Sequence, residues 1–462
     1  MARTAKKETA LTAEEKLAQA LVPEAEQPYQ VPENWCWTKV GAIIDILNGY
    51  AFKSEKYVEN GIRIIRIANV QDGYIEDEKP VFYPFSGERE IEKYILREND
   101  LLISLTGNVG RVAFLDASLL PAALNQRVGC LRVRNQAALS IAFLYYSLLQ
   151  SEFQDSCIKN SKGSAQLNMS TEWLKEQPVP LPPLTEQQRI VDRIESLFAK
   201  LDEAKEKAQA VVDGFEDRKA AILHKAFTGE LTAEWRKRNS VSIKEWRKKN
   251  LGAFSFVTKL AGFEYTKNIA PNLVESGIPL FKGKNVQQGK LVLEFESFIP
   301  KEVSDELPRS QLKKKCLLTP YVGTIGNIAI FDGSFEAHLG SNVGKIEIES
   351  ETFEEFLLYY LRSDLGYKEL TKEKKATAQE SISIQAIRNV EVLLPTLAEQ
   401  QEIVSILDRF IGQEEQAKET AEQVIDQIDI MKKSILARAF RGELGTNDPT
   451  DESAEELLKR VL

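Results

Sequence analysis

The sequence predicts an α/β (α+β) protein: two small mixed domains separated by two long helices, which form an antiparallel intramolecular coiled coil with pseudo-twofold symmetry. Three observations predict it. First, residues 181–231 (LPPLTEQQRIV…AFTGEL) and 394–444 (LPTLAEQQEIV…AFRGEL) align without a gap over 51 positions at a constant offset of 213, with 22 identities. A repeat of this length is one structural unit used twice. Second, each copy carries a heptad stripe. Third, the segments between the copies also correspond, more weakly: GIRIIRIANVQDG (61–73) with GIPLFKGKNVQQG (277–289), TGNVGRVAFLD (106–116) with VGTIGNIAIFD (322–332), and FLYY (143–146) with FLLY (356–359).

The elements follow in chain order. Residues 1–30 form an N-terminal extension whose LTAEEKLAQALV reads as a short amphipathic helix, with Thr12 and Glu15 as a capping box. The first mixed domain spans 31–183 and opens near VPENWCW. Short β-branched runs (Ile62 to Ile67, Val112 to Leu115) alternate with Gly/Asn turns and one helical stretch, Ile141 to Phe153. A first long helix covers 184–231. Its stripe is Ile190, Ile194, Leu197, Leu201, Ala204, Ala208, Val211, Phe215 and Ile222, interrupted by Arg218. Pro183 precedes it, Thr185 with Gln188 predicts a cap, and Gly229 ends it.

The second mixed domain spans 232–394, and the second long helix covers 395–444. Its stripe is Ile403, Leu407, Phe410, Ala417, Ala421, Val424, Ile428, Met431 and Ile435, interrupted by Glu414. Thr396 with Glu399 can cap it, and Gly442 ends it. The tail, 445–462, ends in DESAEELLKRVL, a second short amphipathic helix with Ser453 and Glu456 as its box. Two helices of about 40 residues, each about 60 Å long, most simply bury their stripes against each other. Antiparallel pairing would set the two domains at opposite ends of a rod, and the similar terminal helices hint at circular closure.

Bulk properties exclude several classes. No apolar run is long enough to span a membrane, and the N-terminus lacks the apolar core of a secretory signal. Cys36, Cys130, Cys157 and Cys316 are scattered and form no CxxC, which predicts a reducing cytoplasm and no zinc ribbon. The net charge of −9 is unevenly spread: residues 232–394 carry +3, residues 395–444 carry −4 and the tail −3. Local basic faces are therefore compatible with a globally acidic chain.

Catalytic chemistry finds no support. The two histidines are His224, within the first long helix, and His338, in FEAHLGSN, expected in a loop facing solvent or a ligand. GSNVGKI (340–346) is one residue short of a phosphate loop and ends in Ile, and no GxGxxG occurs. No catalytic residue, cofactor site or metal site is assigned to this chain.

Both domains do concentrate side chains suited to base edges and phosphates in their loops. In the first these are Lys53, Ser54, Arg66, Asn69, Gln71, Thr106, Asn108, Arg111, Asn125, Gln126 and Arg127, with Lys162, Ser164 and Gln166 further on. In the second they are Lys267, Asn268, Lys282, Lys284, Asn285, Gln287, Tyr321, Thr324, Asn327 and Asn342, with Lys374, Lys375 and Gln379. Any one of them is at home in an ordinary turn. Their recurrence at equivalent places in both halves singles them out.

VPENWCW, NGYAFKS, LPPLTEQQRIV and AFTGELT, with LPTLAEQQEIV and AFRGELG in the second copy, closely resemble the specificity subunit of type I restriction–modification enzymes. The resemblance covers essentially the whole chain. It implies two target-recognition domains, each reading one half of a split site on double-stranded DNA, and a spacer made by the long helices. It implies partners: two DNA adenine-N6 methyltransferase subunits and, where the system carries them, two ATP-dependent translocase–nuclease subunits. S-adenosylmethionine, ATP and Mg would belong to those partners. The loops diverge between halves, which predicts an asymmetric bipartite target. The competing reading is a non-catalytic protein-interaction scaffold; a fused methyltransferase or nuclease is disfavoured by the missing motifs.

Overall fold

A computed structural model describes residues 12–162, 167–374 and 380–462. The chain divides into two compact units. One holds the chain up to Lys207 together with Val424–Leu462; the other is Ala208–Gln423.

In the first unit, Ile44–Asn48, Val128–Val133, Leu101–Ser104 and Val112–Phe114 form a four-stranded antiparallel sheet in that spatial order. A second sheet orders Phe82–Tyr83, Ile62–Ile65 and Ala122–Leu124, the last two strands running parallel. Cys36–Lys39 pairs antiparallel with Pro178–Leu181, tying the domain's two ends together. Leu101–Ser104 is buried at every position because both faces of its sheet are covered. The helical stretch expected over Ile141 to Phe153 is two helices, Ile141–Leu148 and Ser151–Asn160, divided where Gln150 turns extended.

The second unit repeats this plan. Ser255–Lys259, Val343–Ile348, Cys316–Pro320 and Ala329–Phe331 form the antiparallel sheet, and Arg247–Asn250 pairs with Glu391–Leu394. Its other sheet orders Phe298–Ile299, Ile278–Phe281, Ala337–Leu339 and Gln311–Leu312. That fourth strand corresponds to a single bridge, Ile95 to Ala123, in the first unit.

The long helices pair antiparallel inside each unit. In the first, Lys432 reaches Asp202 (2.5 Å) and Lys205 reaches Asp429 (2.7 Å). In the second, Arg218 bonds Glu414 (2.7 Å). The two residues that interrupt the apolar stripes thus neutralise each other. Arg218 also donates to the Val211 carbonyl (2.8 Å), lying over Gly214, where the first helix divides into Leu184–Asp213 and Phe215–Phe227. Glycine is the poorest helix former after proline, so the break falls there. The second helix, Leu397–Phe440, is continuous over 44 residues.

The stripes are only partly buried. Ile190, Ile194, Ile403, Leu407 and Ile428 are enclosed, whereas Phe410, Val424 and Met431 are exposed. A pair of helices covers one side of each stripe; the ends are enclosed because a domain packs on the other side.

Both helix starts are fastened by a buried Glu–Gln pair. Gln187 donates to the Ala138 (2.9 Å) and Pro182 (3.0 Å) carbonyls, and Gln400 donates to those of Glu351 (2.9 Å) and Pro395 (3.0 Å). Glu186 accepts from Trp35 Nε1 (2.7 Å), Asn447 (2.8 Å) and Thr446 (3.3 Å). Glu399 accepts from Trp246 Nε1 (2.9 Å), Thr232 (2.7 Å) and Arg236 (2.6 Å). Each carboxylate therefore joins a domain's opening tryptophan to the segment that follows the opposite long helix.

The caps are mixed. Thr12 and Glu15 form the expected box, the Glu399 amide donates to Thr396 (3.3 Å), and Gly229 and Gly442 end their helices at positive φ. The first long helix instead begins at Leu184, which places Thr185 inside it; Gln188 turns to Asp192 (2.8 Å) rather than back to a cap. Ser453 accepts from the Glu455 amide. The terminal helices Ala13–Ala20 and Ala454–Val461 pack on each other in the first unit's core, through Leu17, Ala20, Ala454 and Leu458.

Candidate nucleic-acid interface

In each domain a strand runs into a short turn that a buried asparagine holds from within. The Asn69 carbonyl oxygen accepts from the Arg66 amide (2.9 Å), and its amide donates to Glu76 O (2.7 Å). Asn285 does the same with the Lys282 amide (2.9 Å) and the carbonyls of Val292 (2.9 Å) and Glu294 (3.1 Å). Both asparagines are buried. Their geometry shapes the loop and lays the preceding cation, half-buried, against it. Arg66 donates to Lys79 O (2.8 Å), with its Nε buried and unpaired, and Lys282 donates to Ser297 (2.7 Å).

A second loop meets the first. In the first unit Arg111 bonds Gln71 and lies 3.7 Å from Asp72, while Gln71 also donates to Glu76 (2.9 Å). Thr106, buried, donates to Asn168 (2.9 Å) and so brings in the segment around Lys162, which is exposed. Asn108 is exposed at the tip of that loop. In the second unit Asn327 donates to Val286 O (3.0 Å), and the Tyr321 amide donates to Asn342 O (3.1 Å). Lys259 stands 4.4 Å over the Tyr321 ring, whose hydroxyl pKa is raised by burial. Asn342 takes a left-handed conformation (φ 65°) and, like Gln287 and Thr324, is exposed.

Arg66, Asn69, Gln71, Thr106, Asn108 and Arg111 thus form one cluster, and Lys282, Asn285, Gln287, Tyr321, Thr324, Asn327 and Asn342 its counterpart. Asn125 bridges to Tyr50, leaving Gln126 and Arg127 exposed; Lys53 and Ser54 are exposed on a neighbouring turn. Lys284 pairs with Glu296 and Lys374 with Glu380 (2.7 Å). Lys267 is exposed on a separate short helix, Tyr265–Ile269, where Asn268 donates to Glu306 (3.2 Å). Ser164, Gln166, Lys375 and Gln379 lie outside the described residues.

His338 departs from the sequence expectation. It is fully buried in the strand Ala337–Leu339, between Ile278–Phe281 and Gln311–Leu312, with Nδ1 2.8 Å from Leu339 O. FEAHLGSN looks loop-like because its strand is only three residues long, too short to show alternation. Burial lowers the imidazole pKa, keeping the ring neutral. Among the described residues, no group of three or more His, Cys, Asp or Glu side chains is placed to hold a metal, and no helix is long and apolar enough to cross a membrane.

Two copies of one mixed domain, each offering amide- and cation-bearing loops and each fastened to a pair of long helices, define a duplicated recognition module. The family model described as the type I restriction modification DNA specificity domain matches this chain twice, over residues 32–212 and 245–426, and the chain belongs to that family. It is similar to the type I restriction enzyme EcoBI specificity subunit of Escherichia coli (25% identical, covering 90% of this chain and 87% of that one). The EcoKI specificity subunit of E. coli K12 is 24% identical, with 90% of both chains covered. Among solved structures, the HsdS subunit from Thermoanaerobacter tengcongensis shares the fold with a TM-score of 0.62 at 18% identity, covering 91% of this chain and all of that one. A chain from a study of complex assembly and conformational transition in the type I R-M system gives 0.67 at 18% identity, covering 90% of this chain and all of that one.

Proposed function

We propose that this chain is the DNA-reading subunit of a type I restriction–modification complex, and that its domains over 31–183 and 232–394 each read one half of an asymmetric, split target. The supporting observation is the loop cluster built twice with different side chains. Arg111 and Gln71 face each other in one, whereas in the other Asn327 occupies the corresponding loop and bonds backbone. A shared scaffold with divergent loops suits two readers of different half-sites.

In this reading the paired helices act as a spacer, and the reactions belong to partners. Two adenine-N6 methyltransferase subunits use S-adenosylmethionine, and translocase–nuclease subunits use ATP and Mg. The exposed Phe410, Val424 and Met431 offer apolar docking positions for the methyltransferases. Those partners also supply much of the phosphate neutralisation that a chain of net charge −9 lacks, and the complex works in the cytoplasm. Genome-wide mapping of N6-methyladenine, with and without this chain, tests the proposal. A split motif that vanishes on deletion is expected; an unchanged methylation pattern rules the assignment out.

A further inference from the structure

Beside the reading loops of the second domain lies a pocket of about 270 Å³ with two cations that, among the described residues, no ion pair engages. Lys219 of the long helix and Arg362, at the end of the helix Glu354–Arg362, line it together with Glu216, Gln288 and Gly326. Neither cation has an ion-pair partner among the described residues. Lys219 lies 5.3 Å over the Phe215 ring, and its ammonium is disfavoured by burial and by Arg362. Lys290 adds a third positive charge, against the carboxylates of Glu216 and Glu415. Nearby Asp364 is engaged by His224 (3.3 Å) and Lys368 (3.8 Å).

The backbone is shaped to admit the guanidinium. Gly289 has φ 80°, and a Cβ there would stand 2.6 Å from an Arg362 terminal nitrogen. The first unit lacks this arrangement. By the repeat offset, Lys432 is the counterpart of Lys219, and it is bound to Asp202 at 2.5 Å; Gly73, the counterpart of Gly289, faces the Tyr145 hydroxyl. Two half-buried cations beside a glycine turn, neither held in an ion pair among the described residues and, with Lys290, outnumbering the carboxylates of Glu216 and Glu415, make a site for an oxyanion.

We propose that this pocket seats a backbone phosphate of the target DNA, gripped by Arg362 and Lys219, beside the loops bearing Gln287 and Thr324, and so adds affinity that does not depend on sequence. The proposal rests on the DNA-reading assignment above. It makes the grip on the second half-site more salt-dependent than that on the first.

The test uses the full chain assembled with its methyltransferase partners. Lys219→Gln and Arg362→Gln should each lower the slope of log affinity against log salt by about one, equally for cognate and non-cognate duplexes, and leave the methylated motif unchanged. Lys219→Arg should restore the slope. Thermal melting and complex assembly check folding; should Arg362→Gln fail to assemble, Lys219→Gln carries the test. An unchanged slope with sequence preference intact overturns the phosphate seat alone, as does an altered motif. Inorganic phosphate that binds the chain through these residues, with no change in DNA slope, marks a free-anion site and also overturns it. A wild-type complex that methylates no defined sequence overturns the underlying assignment instead.

Discussion

Glu186 and Glu399 occupy the same position in their helices, yet their removal should cost different amounts. Glu399 faces a nearly buried guanidinium, Arg236, while Glu186 accepts from neutral donors. Glu399→Ala strands a buried charge and should destabilise the second unit by about 3–5 kcal/mol. Glu186→Ala leaves polar donors unpaired, for about 1–3 kcal/mol in the first. Amide hydrogen exchange measures each unit separately, and equal losses would contradict this account. His338 gives a pH prediction. Its pKa is lowered from the ordinary 6.5, so the unfolded chain takes up a proton first as pH falls. Stability is full above pH 6.5 and declines below it, down to the folded pKa. Protection factors in the second unit, with the intrinsic exchange rate divided out, should fall as pH drops below 6.5, and His338→Asn should flatten that dependence. The chemistry of Asn69 and Asn285 was legible in the sequence as turn-forming amides, but nothing there distinguishes an amide that holds a loop from one that meets a base. Lys219 and Arg362 carry no signal in the sequence, because a cation on a helix reads as a solvated face; only the fold brings them together.

The long helices were the most legible elements, since a heptad pattern is local and needs no knowledge of tertiary structure. Its interruptions, Arg218 and Glu414, carried more information than their places alone revealed, because they pair with each other. The division at Gly214 and the exposed Phe410, Val424 and Met431 were not legible, for they depend on what covers each turn. If the paired helices set the separation of half-sites, inserting one heptad into each at matched positions should lengthen the helices by about 10 Å. The non-specific spacer of the methylated motif should grow by about three base pairs, with both half-sites preserved. Methylome sequencing reads this directly; an unchanged spacer removes the helices from that role. The strands were less legible than the helices. Ala337–Leu339 and Phe298–Ile299 span two or three residues, too few to display a period.

For the whole molecule, the repeat made the duplication plain, while the end-to-end closure appeared only as a likeness between two terminal helices. The first unit draws its core from both ends of the chain: Leu436, Phe440 and Leu458 lie with Trp35, Phe143 and Ile190. The second unit is one contiguous stretch, Ala208–Gln423. This division orders events on the ribosome. The second unit has all its residues once position 423 has emerged, whereas the first stays incomplete until the final segment is made. The domain that is synthesised first is therefore the one finished last. A nonsense codon at Asn447 should leave the second unit folded and the first open, removing the Asn447 bond to Glu186 together with the helix Ala454–Val461. Limited proteolysis of that truncated chain should cut the amino-terminal half and spare residues 208–423. Equal resistance of both units would show that the late segment closes nothing.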